Sequence, residues 1–165
     1  RVAWEQGDRE KALEVLNRAV ELDPGNIGVL ADRAFWQGEL GEYEKSRQDL
    51  QAMVERVGSL EQEIQLRQQL CDALLHLDRP DQVIRQWEII GETVAGYGGQ
   101  ENWHRQQRIL FLNNRAYQVA LTGQQLKRVI EEADQAIALL GGEGIAWDYN
   151  GAPNYLSACQ AFLEQ

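Results

Sequence analysis

Apolar residues recur along this chain at intervals of three and four, and turn-forming residues cut the pattern into pieces of helical length. Ala12, Leu13, Leu16, Ala19 and Val20 fall on one stripe of a helix. Pro24 stops that helix and Gly25-Asn26 supply a turn, so the next helix begins near Ile27. Extended along the chain, the same reading predicts helices near 27–39, 43–56, 62–77, 80–95, 102–122, 125–140 and 153–164. The small residues Ala12 and Ala19 let a neighbouring helix approach closely.

The pieces repeat. Gln6-Gly7-Asp8-Arg9-Glu10-Lys11-Ala12 returns 34 residues later as Leu40-Gly41-Glu42-Tyr43-Glu44-Lys45-Ser46. Leu30-x2-Arg33-Ala34-Phe35-x5-Gly41 returns at an offset of 82 as Leu112-x2-Arg115-Ala116-Tyr117-x5-Gly123. Between them, Leu70-Cys71-x2-Leu74 fits a first helix and Val83-x3-Trp87-x2-Ile90 a second. Ser46 to Val83 is 37 residues and Val83 to Val129 is 46, with Gly96-Tyr97-Gly98-Gly99 marking much of the insertion. Val129-x3-Ala133-x2-Ala136 closes the fourth copy.

This period and these residues resemble the tetratricopeptide repeat. Ala12, Leu16 and Ala19 before Glu21-Leu22-Asp23-Pro24 look like the second helix of such a repeat and its closing turn. Leu30 and Leu112 match the family's Trp position, Ala34 and Ala116 its small Gly position, and Arg33 and Arg115 replace its Leu. The resemblance implies an all-α fold, a right-handed α-α superhelix of antiparallel helix pairs in a single domain. Its parts would be a partial repeat over 1–26, repeats over 27–60, 64–97 and 109–140, and a partial repeat over 152–165. Arg1 to Gln6 reads as the end of one first helix. Tyr155, Ala158, Cys159, Phe162 and Leu163 belong to another that stops where its turn should follow. The chain therefore reads as a segment of a longer array, expected to self-associate end to end or to fray over 153–165, because each repeat buries its apolar face on a neighbour.

Composition adds limits. Hydrophobic residues make up 44% of the chain and charged ones 25%, as in an ordinary globular protein. No apolar run is long enough to span a membrane. The net charge of −10 argues against nucleic acid, whose phosphates are bound mainly by Lys and Arg, and favours a basic partner only mildly. Cys71 and Cys159 lie 88 residues apart without Cys-x2-Cys pairing, which argues for structural thiols over a zinc site. They leave the compartment open, with the cytoplasm slightly favoured. His76 and His104 lack a ligand-type partner at i+4. His76 reads as a residue near a helix C-terminus that could pair with Asp72. Gly96 to Gly99 and Gly141, Gly142 and Gly144 read as connections, and no phosphate loop or nucleophile elbow is present. Neither catalytic residues nor a cofactor or metal site is expected.

Mapping the family's groove onto the chain gives Trp4, then Ala31, Phe35 and Gly38, then Gln68 and Asp72, then Asn113 and Tyr117. Aromatic and amide side chains on one concave face suit an extended peptide. Phe35 and Tyr117 could instead pack between repeats. Trp36 and Trp87 are the better core residues, and Trp147 and Tyr149 fall in the last connection. Some members of the family clamp a terminal carboxylate with Lys, Asn and Arg. Here Ala31 and Gln68 stand in Lys positions and Phe35 and Asp72 in Asn positions, with Asn114 the one match, which argues against that ligand. The expected function is a protein- or peptide-binding scaffold without catalysis. The alternatives are a helical sensor arm of a larger bacterial regulator and, more remotely, an all-α enzyme.

Overall fold

The computed structural model describes residues 6–96 and 105–140. Those residues form seven helices, with no strand among them. They are α1 (Gln6–Leu22), α2 (Ile27–Glu39), α3 (Tyr43–Val54), α4 (Leu60–His76), α5 (Pro80–Gly96), α6 (Arg105–Ala120) and α7 (Leu126–Leu140). The all-α expectation holds. The expected 27–39 helix is matched at both ends, and α5 and α7 each differ from expectation by one residue. The helix expected over 153–164 lies outside the described residues. The chain divides into two compact units that part between Arg79 and Pro80.

The first unit holds α1 to α4, and its turns follow from local chemistry. Asp23 accepts hydrogen bonds from the Gly25 N–H and the Asn26 side chain, each at 3.3 Å, directly after Pro24 closes the turn. Asn26 then caps α2, its Oδ1 accepting from the Val29 N–H at 3.1 Å. Ser59 caps α4 by accepting from the Gln62 N–H, which starts that helix at Leu60, two residues earlier than expected. At the start of α1, Gly7 is helical rather than in the turn its frame with Gly41 predicts. The first turn of a helix is where backbone N–H groups lack intrahelical partners in any case.

α2 and α3 form an antiparallel hairpin. Arg33 grips Asp49 with two hydrogen bonds of 2.7 and 2.6 Å, while the Ser46 hydroxyl donates to the Ala34 carbonyl at 2.8 Å. Pairing 33 with 49 and 34 with 46 means that the helices run in opposite directions. Arg33 also donates to Asn17 of α1 at 3.2 Å, so one guanidinium ties three helices. Leu13, Leu30, Ala34, Leu50, Met53, Val54, Leu66, Leu70, Cys71, Ala73 and Leu74 form the buried core. Each leucine so buried contributes about 1.5–3 kcal/mol.

α2 and α4 end in the same way. The Gly41 N–H donates to Gly38 and the Glu42 N–H to Gln37. The Asp78 N–H donates to Leu75 and the Arg79 N–H to Leu74. Both are Schellman caps, which require a left-handed residue just past the helix. Gly41 takes φ +76 without strain, but Asp78 is held at φ +53. Asp78→Gly is therefore expected to stabilise the protein by about 0.5–1 kcal/mol, and Gly41→Ala to destabilise it by about 1 kcal/mol. Urea denaturation of the two variants checks both signs.

The second unit holds α5 to α7. Val83, Trp87, Ile90 and Val94 make a buried stripe along α5. Trp87 is 1% exposed, meets Phe111 of α6 edge to face at 5.6 Å, and donates its indole N–H to Gln118 at 3.0 Å. α6 stops at Ala120, two residues before the expected end. There the Thr122 hydroxyl donates to the Val119 carbonyl and Gly123 turns to φ +68. Arg115 of α6 pairs with Glu132 of α7 at 2.7 Å, both side chains about nine-tenths buried.

Candidate functional site

The α2–α3 hairpin and α4 enclose a groove of ≈ 510 Å³. The first residues that shape it are small. Ala31, Ala34 and Gly38 come from α2, Ser46 from α3 and Ala73 from α4. Small side chains here leave depth that larger ones would fill. A Cβ at Gly38 would meet Ser46 Oγ at 3.9 Å, an ordinary contact. Glycine is thus not demanded there by packing, and its effect is to keep the floor low.

Larger side chains form the walls. Phe35 lines the groove with 58% of its surface exposed, resting edge to face on Trp36 at 5.1 Å. Tyr43, the first residue of α3, stacks on His76 in the last turn of α4, with ring centroids 4.1 Å apart and planes 3° from parallel. Leu50 adds apolar surface, and Glu39, Gln69 and Asp72 add polar groups.

Cations of α3 and of the turn after α4 are engaged outside this lining. Lys45 pairs with Glu42 at 3.0 Å, Arg47 with Glu44 at 2.8 Å and Arg79 with Glu44 at 3.1 Å. The Arg47 hydrogen bond, helped by the charges of Arg47 and Arg79, holds the Glu44 carboxyl below its ordinary pKa. Cys71, buried on α4, has its thiol pushed up by burial, so it is a packing group and a poor nucleophile. Among the described residues no cluster of His, Cys, Asp and Glu is placed to hold a metal ion, and no helix is long and apolar enough to cross a membrane.

The structure brings Ala31, Phe35, Gly38 and Asp72 together in this groove. Gln68 is half-buried beside the groove residue Gln69. Asn113 and Tyr117 are half-buried on α6 of the second unit, four residues apart on one helix face. Trp4 lies outside the described residues. Sequence reasoning missed Ala34, Glu39, Tyr43, Ser46, Leu50, Gln69, Ala73 and His76. It took groove positions from first helices alone, whereas α3 supplies three of the lining residues. Nothing in the spacing links Tyr43 to His76, which meet because α3 and α4 pack against each other.

A family model described as tetratricopeptide repeat matches residues 1–71. Over those residues the chain is similar to the tetratricopeptide repeat. No curated protein and no solved structure gives a significant match. Tetratricopeptide repeats as a family are protein-interaction scaffolds and are typically non-catalytic.

The repeat frame also explains the two arginines that depart from the tetratricopeptide pattern. Arg33 pairs with Asp49, 16 residues on, and Arg115 with Glu132, 17 residues on. The extra residue sits in the turn, since α3 begins two residues after Gly41 and α7 three after Gly123. In the copy that the sequence pattern places between them, the corresponding positions are Leu70 and Gln86, neither an arginine nor an acid. Each arginine thus comes with an acid on the helix that follows its own.

Proposed function

We propose that this protein is a non-catalytic scaffold that holds an extended segment of another protein in the groove between α2 and α4. The exposed Phe35 over a floor of small residues carries this reading. An aromatic side chain left 58% exposed beside an open cleft gains by being covered, and aromatic anchors dominate binding at such surfaces. The similarity of residues 1–71 to the tetratricopeptide repeat supports the same reading. The repeat pattern of the sequence adds Gln68 to this surface and marks Asn113 and Tyr117 as the matching positions of the second unit.

The test begins with a pull-down from the native cell, with the binding segment then mapped to a peptide. Phe35→Ala is expected to weaken that peptide by about 2 kcal/mol while leaving the melting temperature unchanged. Gly38→Leu is expected to weaken it as well by filling the floor, with no loss of fold. Normal binding by both variants would sink the groove. Tyr117→Ala asks the same question of the second unit.

A further inference from the structure

We propose that the groove selects a proline-rich segment: a stretch of a partner protein in the polyproline II conformation, without acidic residues, that lays proline rings against Phe35 and Tyr43. This rests on the groove being the binding surface and adds the conformation and chemistry of its occupant.

Hydrogen bonding decides the conformation. Every residue of the lining belongs to α2, α3 or α4, so there is no strand edge to which a partner's backbone could add. Ala31, Ala34, Gly38 and Ala73 give the floor no polar side chain, and the serine hydroxyl beside them, from Ser46, already donates to the Ala34 carbonyl at 2.8 Å. A partner N–H pressed onto that floor loses water and gains no acceptor there. Proline has no N–H to lose. A polyproline II segment makes no internal hydrogen bonds and leaves its carbonyls open to other donors. The Tyr43 hydroxyl and the Gln69 amide stand in the walls as such donors.

Aromatic surface decides the residue. Phe35 comes from α2 and is exposed, while Tyr43 of α3 lies parallel to His76 of α4 at 4.1 Å, so that each ring fixes the other's pose. Proline rings dock on aromatic walls of this kind. Polyproline II repeats about every three residues, so prolines spaced three apart lie along one edge of the segment and suit two separate aromatic positions. Such a segment is already extended before it binds and gives up little freedom on docking. Charge sets the last condition. Glu39 lines the groove, among the described residues no lysine or arginine does, and the chain carries a net charge of −10, so an acidic segment is repelled. Asp72, engaged in an interaction of its own, is not called on.

The test uses the whole chain and end-capped, labelled peptides of about eight residues, built of serine, alanine and leucine. Two central positions, three apart, hold proline in the first peptide, alanine in the second, and proline with a neighbouring glutamate in the third. Fluorescence anisotropy is expected to show the proline peptide binding about tenfold more tightly than the alanine peptide, and the glutamate peptide more weakly than the plain proline one. Tyr43→Ala should bring the proline peptide close to the level of the alanine peptide while changing the latter little. Equal binding of the proline and alanine peptides, or tighter binding of the more helix-prone alanine peptide, overturns the proline proposal. So does a glutamate peptide that binds as well as the plain one, or a proline advantage that survives both Phe35→Ala and Tyr43→Ala. In those cases the groove itself stands as long as Gly38→Leu weakens the peptides that bind. Failure of all three to bind at about 1 mM overturns both. The peptide comparison on the unaltered chain decides the matter even if a variant does not fold.

Discussion

Trp87→Ala is expected to cost the second unit about 3–5 kcal/mol. The indole is 1% exposed, so its removal leaves a cavity bordered by Phe111 rather than a surface that water can fill. It also strips Gln118, itself buried, of the N–H that it accepts at 3.0 Å. A buried acceptor left unpaired adds a further penalty of about 1–3 kcal/mol where no water reaches it. Trp87→Phe should recover the packing part and leave the polar part, so the difference between the two variants isolates the hydrogen bond. Urea denaturation followed by helical circular dichroism measures both. A loss within about 0.5 kcal/mol for Trp87→Ala, the range of an ordinary surface substitution, would mean that α5 does not pack on α6 as described.

Glu132→Ala is expected to destabilise the same unit by about 3–5 kcal/mol, because it leaves the Arg115 guanidinium buried without its partner. Arg128, which also pairs with Glu132 at 3.1 Å, is largely exposed and can return to water. The intervening copy of the sequence pattern suggests the rescue. Arg115→Leu with Glu132→Gln copies the Leu70 and Gln86 combination and is expected to restore most of the loss, since an apolar replacement of a buried pair is often neutral.

The same pair gives a pH dependence. Burial raises the Glu132 pKa above the usual carboxylate value, against the opposing pull of Arg115 and Arg128. Burial likewise lowers that of Arg115. Folded Glu132 therefore holds its proton more tightly than the unfolded chain does. Its contribution is fully present below the unfolded pKa and is lost as pH rises through the raised folded pKa. Melting curves of the protein and of Glu132→Gln across that range should diverge, with the variant lacking this part of the slope. Parallel curves would count against the raised pKa.

The helices were legible in the sequence because each is specified by residues close to it. Asn26 caps α2, Pro80 opens α5, and Gly41 and Gly123 supply the left-handed turns. Asp78 was harder to read. An aspartate carries no demand for positive φ, and its place shows only when its cap is set beside that of Gly41. Trp87 was legible as core from its place on the α5 stripe, and Cys71 from its place in the small-residue frame. Trp36 went the other way, half-buried with Phe35 against it.

Sequence by itself determined the repeat period, the all-α class and the residues that start and stop most of the helices, since caps, stripes and turns act within a few residues. It also placed Ala31, Phe35, Gly38 and Asp72 together through the repeat frame. Only the tertiary structure decided what that frame encloses. It gave Arg33 and Arg115 their acidic partners, set Tyr43 against His76, and brought Glu39 and Asp72 to one cleft while the cations of α3 paired elsewhere. Those contacts join residues on different helices, up to 33 apart for Tyr43 and His76. No local spacing encodes them, because they exist only once antiparallel helices have packed.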